Sequence, residues 1–228
     1  MRIAEIFRSR QGEGRLTGTD SVFVRASGCN LRCWFCDTPY TSWAPEGEDF
    51  SVEEILARVD ELEAQHVVLT GGEPMLFAEL VPLTAALRQS GRHITIETAG
   101  TLDLPVACDL MSISPKLANS TPSAAEHPRW SVRHEHSRHV PEVIRRLAKD
   151  YDYQFKFVID RPEDCADVDH YLLEFPQLDR ARVLLMPQGT DTAELDERTA
   201  WLIEYCQEAG LGFCPRKHIE WYGMTRGT

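Results

Sequence analysis

The 228-residue sequence has no apolar run approaching the roughly 18 residues that a membrane-spanning helix needs. Its first residues, Met1-Arg2-Ile3-Ala4-Glu5-Ile6-Phe7, set charges inside a short apolar stretch and lack the hydrophobic core and small-residue cleavage site of a secretory signal. A cytoplasmic location with no membrane partner is therefore expected. Positive charge is scarce: 24 Lys and Arg stand against 36 Asp and Glu, a net charge of −12. Such a balance repels a phosphate backbone unless a strong local basic patch compensates. No such patch is evident, and no nucleic-acid partner is expected. Internal repeats are also absent, and the seven cysteines cannot all pair, since their number is odd. Reduced thiols available to a metal are the better reading than a disulfide framework.

What is present is a globular composition, 43% hydrophobic and 26% charged, on a length suited to one domain over residues 1–228. Beyond residue 50, apolar runs of strand length alternate with amphipathic stretches, the order of βα units on a mostly parallel sheet. Strands are predicted at Ser21–Ala26, His66–Thr70, His93–Glu97, Leu110–Ser114, Tyr153–Ile159 and Arg182–Met186. Helices are predicted at Ser51–Ala64, opened by a Ser51/Glu54 capping box, and at about 78–90, 141–149, 162–174 and 191–209. Gly91 and Gly210 stand where a helix-ending glycine belongs. Residues 27–50 read as a long functional loop, and 115–140 as a polar surface loop whose His127, His134, His136 and His139 are solvated.

The segment Cys29-Asn30-Leu31-Arg32-Cys33-Trp34-Phe35-Cys36 places three thiols within eight residues, close enough for one loop to wrap one inorganic centre. Soft thiolates select zinc, copper(I) or iron–sulfur clusters, so ligand type alone leaves these open. A structural zinc site wants a fourth ligand at comparable spacing. Cys108, Cys165, Cys206 and Cys214 are available, but none forms a second CxxC-like pair, and a buried free thiol is the ordinary state of such residues. The strand at 66–70 runs directly into Gly71-Gly72-Glu73-Pro74, and Glu97-Thr98-Ala99-Gly100, Ser114-Pro115-Lys116 and Met186-Pro187-Gln188-Gly189 also follow predicted strands. Loops after parallel strands are where such sheets build active sites.

CxxxCxxC followed by GGEP resembles the radical S-adenosylmethionine (SAM) superfamily, which implies an α/β fold of the incomplete, TIM-like βα-barrel type. It implies a 4Fe-4S cluster on Cys29, Cys33 and Cys36, with the fourth iron left for SAM. Reduction of that centre yields a 5′-deoxyadenosyl radical. Phe35, Cys36 and Asp37, then Gly71, Gly72 and Glu73, Gly100, Ser114, Pro115 and Lys116, and Met186, Pro187, Gln188 and Gly189 would form the SAM site.

The N-terminal run Glu5 to Gly14, containing Arg10-Gln11-Gly12-Glu13-Gly14, with Phe23-Val24-Arg25-Ala26-Ser27-Gly28 before the cysteines, is more particular. It resembles the 7-carboxy-7-deazaguanine synthase family. The implied activity is the radical ring contraction of 6-carboxy-5,6,7,8-tetrahydropterin to 7-carboxy-7-deazaguanine with loss of ammonia, a step towards queuosine. Arg10, Gln11, Gly12, Glu13, Arg25, Thr98 and His218 would then meet the substrate, with Arg25 on its carboxylate, and Thr38 would ligate Mg2+. A substrate-binding N-terminal segment (1–28), a cluster loop (29–50) and a C-terminal tail (215–228) follow from the same likeness. So do a homodimer and a one-electron donor such as flavodoxin. Two rivals remain: an activase that makes a glycyl radical on a partner protein, and a zinc-bound structural module.

Overall fold

The computed structural model describes residues 1–228 and joins all nine strands in one sheet. In chain order these are β1 (Arg2–Arg10), β2 (Asp20–Ala26), β3 (Glu48–Asp49), β4 (His66–Gly71), β5 (His93–Thr98), β6 (Leu110–Ile113), β7 (Tyr153–Ile159), β8 (Val183–Pro187) and β9 (Gly212–Phe213). The helices are α1 (Pro39–Ser42), α2 (Val52–Glu61), α3 (Leu80–Gln89), α4 (Pro128–Ser137), α5 (Pro141–Asp150), α6 (Asp164–Glu174), α7 (Thr192–Ala209) and α8 (Lys217–Tyr222). From β2 onward, β4 to β9 add in parallel, while β1 lies antiparallel to β2 and β3 antiparallel to β1. The outermost strands, β3 and β9, do not meet, so the barrel is incomplete.

Period-2 alternation assigns the two faces. Val22 and Val24, Val67 and Leu69, Ile94 and Ile96, Met111 and Ile113, Phe155 and Phe157, and Val183 and Leu185 all face one core. The helices cover that face with Ile55 and Val59 of α2, Leu83 and Leu87 of α3, Ile144 and Leu147 of α5, and Val168 of α6. The intervening positions line the barrel interior, which is polar. Its lower layer joins Ser21, His66 and Thr95 at 2.7 and 2.8 Å, and Gln154 donates to Ser112 Oγ at 2.8 Å. A polar interior is affordable because each group finds a partner.

The six predicted strands and five predicted helices form within a few residues of their expected bounds. Ser51 caps α2 through a complete capping box, and Gly210 ends α7 in the left-handed conformation, φ 66°. Three features depart from the reading. Residues 2–10 form a strand, because their alternation pairs with β2 from Ile3↔Ala26 to Arg10↔Asp20. Residues 48–49 add to it. The supposed loop at 115–140 contains α4, opened by Pro128 at its first turn. Of its histidines, His127 and His136 are exposed and His139 pairs with Glu174, but His134 is wholly buried, correcting the surface assignment. Its Nδ1 accepts from the Arg32 amide at 3.1 Å and its Nε2 meets Ser120 Oγ at 2.9 Å, so α4 is pinned to the cysteine loop.

Candidate active site

The C-terminal ends of the strands open into a cavity of about 280 Å³. Cys29, Cys33 and Cys36 all line it, and all seven cysteines are free thiols. Cys108, Cys165, Cys206 and Cys214 are buried away from those three, as expected of free core thiols. Burial pushes the Cys29 and Cys33 thiols up to about 12, so their thiolates require a cationic centre beside them. The Leu31 amide points at Cys29 Sγ at 3.4 Å, and Ser42 Oγ donates to Cys36 Sγ at 3.2 Å. No group of three or more His, Cys, Asp or Glu side chains converges on a single-ion site.

At the end of β4, Gly71 adopts φ 126°, and a Cβ on Gly72 would strike the carbonyl of Gly28, so both positions require glycine where the chain lines the cavity. Glu73 lies beneath the lining. It is fully buried, and its carboxylate accepts from Thr98 Oγ1 at 2.9 Å and from the Ala99 and Met75 amides at 2.9 and 3.1 Å. The side chain ties the β4 and β5 ends together from beneath. Gly100, Pro115, Pro187 and Gly189 likewise lie behind the lining. Phe35, Cys36, Asp37, Gly71, Gly72, Ser114, Lys116, Met186 and Gln188 are on it.

All seven expected substrate residues reach the cavity. Gln11 donates to Glu97 Oε1 at 3.3 Å and accepts from the Glu13 amide at 3.3 Å. Gly12 packs so closely on the tail that a Cβ there would sit 2.6 Å from His218 Cβ. Arg25 projects from β2 opposite to Val22 and Val24, which makes it an inner-face residue, and its Nε donates to Glu5 Oε1 at 2.6 Å. Tyr40 donates to the same oxygen at 2.7 Å. Arg10 stands only at the rim: its guanidinium lies 4.4 Å over Trp221 and donates to Tyr222. Thr38 lines the cavity, and its hydroxyl accepts from Thr41 at 3.3 Å.

Two charged residues at the centre, Lys156 and Arg216, were not singled out from the sequence, and Glu97 was named only as the start of the run after its strand. Lys156 of β7, with a side chain 4% exposed, lies 2.8 Å from Glu13 and 3.1 Å from Glu97. Arg216 pairs with Asp37 and, at 3.4 Å, with Glu13. Burial alone would raise the Glu13 carboxyl, but Lys156, His218 and Arg216 hold it well below the usual carboxylate range. Burial would lower Lys156, and Glu13 and Glu97 override it and raise it. The His218 imidazole is lowered by burial, against the pull of Glu13. The alternation Ile94-Thr95-Ile96-Glu97 held a signal for Glu97, and a lysine inside the apolar strand 153–159 held one for Lys156. Arg216, in an irregular stretch, had none.

A cavity at the strand ends of an open βα barrel, holding three free thiols and a glycine pair after β4, defines a radical SAM enzyme, and the Radical SAM superfamily model matches residues 23–116. That class carries a 4Fe-4S cluster and SAM. The relatives narrow the class. A 7-carboxy-7-deazaguanine synthase from Rhodopirellula baltica is 46% identical over 99% of this chain and 88% of its own length. One from Halobacterium salinarum is also 46% identical, over 95% of this chain and 88% of its own. QueE from Escherichia coli superposes with a TM-score of 0.70 at 26% identity, covering 95% of this chain and 94% of that one. The chain belongs to the 7-carboxy-7-deazaguanine synthase family.

Proposed function

We propose that the cavity binds 6-carboxy-5,6,7,8-tetrahydropterin beside SAM and carries out the ring contraction to 7-carboxy-7-deazaguanine. The observation that carries this reading is that the Gln11–Glu13 segment, Arg25 and the cysteine loop share one cavity. A pterin edge offers amide and amino groups that Gln11 can donate to and accept from and that the Glu13 carboxylate can accept from. Arg25 spends its Nε on Glu5, which leaves its terminal nitrogens to fork onto the substrate carboxylate. Lys156 and Arg216 hold Glu13 ionised and fixed, so the acceptor is aligned before substrate arrives.

In the same reading, Cys29, Cys33 and Cys36 carry the cluster, which with SAM supplies the deoxyadenosyl radical. The lining backbone at Gly71 and Gly72, with Phe35, Ser114, Lys116, Met186 and Gln188, holds SAM. Thr38 gives a neutral hydroxyl to Mg2+, a cation that takes few protein ligands and keeps its waters. The chain acts as one radical SAM domain in a cytoplasmic homodimer and draws single electrons from a carrier such as flavodoxin.

The test is anaerobic turnover of the carboxylated pterin by the reconstituted protein and its Arg25→Ala variant. Loss of one charge-assisted fork, on the order of 1.5–3 kcal/mol, lowers kcat/KM roughly 10- to 150-fold. An analogue lacking the carboxylate shows a smaller difference. No consumption of the carboxylated pterin by the parent protein would overturn the assignment.

A further inference from the structure

Charge is not spread evenly along this chain. Residues 116–149 carry seven basic and three acidic residues, leaving 17 basic and 33 acidic on all the rest. No basic patch was evident before folding, yet α4 gathers one. Arg129, Val132, Arg133 and His136 recur at the i, i+3, i+4, i+7 spacing of one helix face, and all four are exposed. The other face, Trp130, His134 and Ser137, packs inward. Trp130 lies 4.1 Å from the guanidinium of Arg32, and His134 holds the Arg32 amide, within the loop that bears Cys29 and Cys33. Trp34, between Cys33 and Cys36, is 50% exposed, and its indole donates to the Asn119 carbonyl in the segment leading to α4.

Neighbouring cations are committed. Arg138, Arg145 and Arg146 pair with Glu135, Glu174 and Asp103. Arg129 and Arg133 have no carboxylate partner, and Arg133 only stacks on Trp130 at 5.0 Å. Two free arginines flanking an exposed valine suit a compact protein footprint. A nucleic acid asks for a longer basic track than this face offers.

We infer that this face of α4, with Trp34, docks an acidic one-electron carrier protein that reduces the cluster. The inference rests on the cluster being held by Cys29, Cys33 and Cys36. One electron leaves the reduced carrier, which is oxidised by one electron, and enters the oxidised cluster; no bond is made or broken and no proton need move. The charge contrast steers the carrier to this basic face of α4, the helix whose opposite face packs on the cysteine loop.

The experiment compares anaerobic cluster reduction, followed by absorbance and electron paramagnetic resonance, with two reductants: a purified acidic flavodoxin in its fully reduced state, and dithionite. In R129E/R133E the flavodoxin rate should fall at least about tenfold at low ionic strength. The deficit should shrink as salt screens it. Iron content and the dithionite rate should match the parent protein. R129Q/R133Q should fall in between, which covers the case where the reversal perturbs folding. An unchanged flavodoxin rate in both variants would overturn the docking face. So would an equal slowing by dithionite, which would mean that the cluster itself had changed, or salt-sensitive binding of tRNA that both variants abolish. Failure of dithionite to reduce the parent protein would instead strike at the cluster assignment.

Discussion

Lys156 Nζ lies 2.8 Å from Glu13 Oε2, joining the middle of β7 to the loop after β1 across 143 residues of sequence. The pair is buried and shared with Glu97, and Arg216 adds a second cation on Glu13, so the charges are balanced within one network.

Lys156→Met therefore leaves Glu97 without its cation and Glu13 with Arg216 alone. The variant should lose about 3–5 kcal/mol in urea unfolding and lose turnover with it. Lys156→Met combined with Glu13→Gln should recover part of the stability and none of the activity. Equal stability of the single variant and the parent would show that the network contributes nothing to the fold.

The cysteines should divide three against four. Replacing Cys29, Cys33 or Cys36 with Ala should abolish iron retention after anaerobic reconstitution. The same change at Cys108, Cys165, Cys206 or Cys214 should leave iron and the brown absorption in place. Iron that survives loss of Cys33 and disappears with Cys214 would reassign the ligands.

Thr38→Ala removes only a neutral hydroxyl, already shared with Thr41. Turnover should become less responsive to added Mg2+, while the cluster spectrum stays as in the parent protein. Identical magnesium titrations of the two proteins would remove Thr38 from any magnesium site.

His66 predicts a dependence of stability on pH. Burial, helped by His93, pushes its imidazole down to about 4, against the opposing pull of Glu97 and Asp109. The unfolded chain, with an ordinary histidine near 6.5, then binds more protons than the folded one between those values. Stability falls as pH drops through that window, by on the order of 3 kcal/mol at its foot for this residue. His66→Gln, which does not titrate, should flatten the slope measured by urea unfolding between pH 7 and pH 4.5. A slope equal to the parent's would rule out His66 as a contributor.

The parallel strands were legible because apolar runs such as 66–70 and 153–159 are bounded by turns and helices of the right length. The strand at 2–10 was not, since its Glu5, Arg8 and Arg10 obscure the alternation, and only its pairing with β2 shows which face is buried. The cavity was legible where chemistry is local, in the cysteine spacing and the Gln11–Glu13 run. It was illegible where function is assembled from afar. Lys156 and Arg216 acquire their roles only when a distant strand and the tail meet Glu13. Glu73, read from its motif, also ties the β4 and β5 ends together, a part that only the fold shows.

Lys217 donates its amide to the Gly12 carbonyl at 3.0 Å, and Arg216 reaches both Glu13 and Asp37. Order of synthesis thereby enters the chemistry. The ribosome makes the cysteine loop and the Gln11–Glu13 segment well before Arg216, which follows Asp37 by 179 residues. Throughout translation Asp37 waits without its guanidinium and Gly12 without its cover, leaving the thiols beside an unfinished wall. Closing that wall waits on the meeting of residues made far apart in time, Asp37 with Arg216 and Gly12 with Lys217.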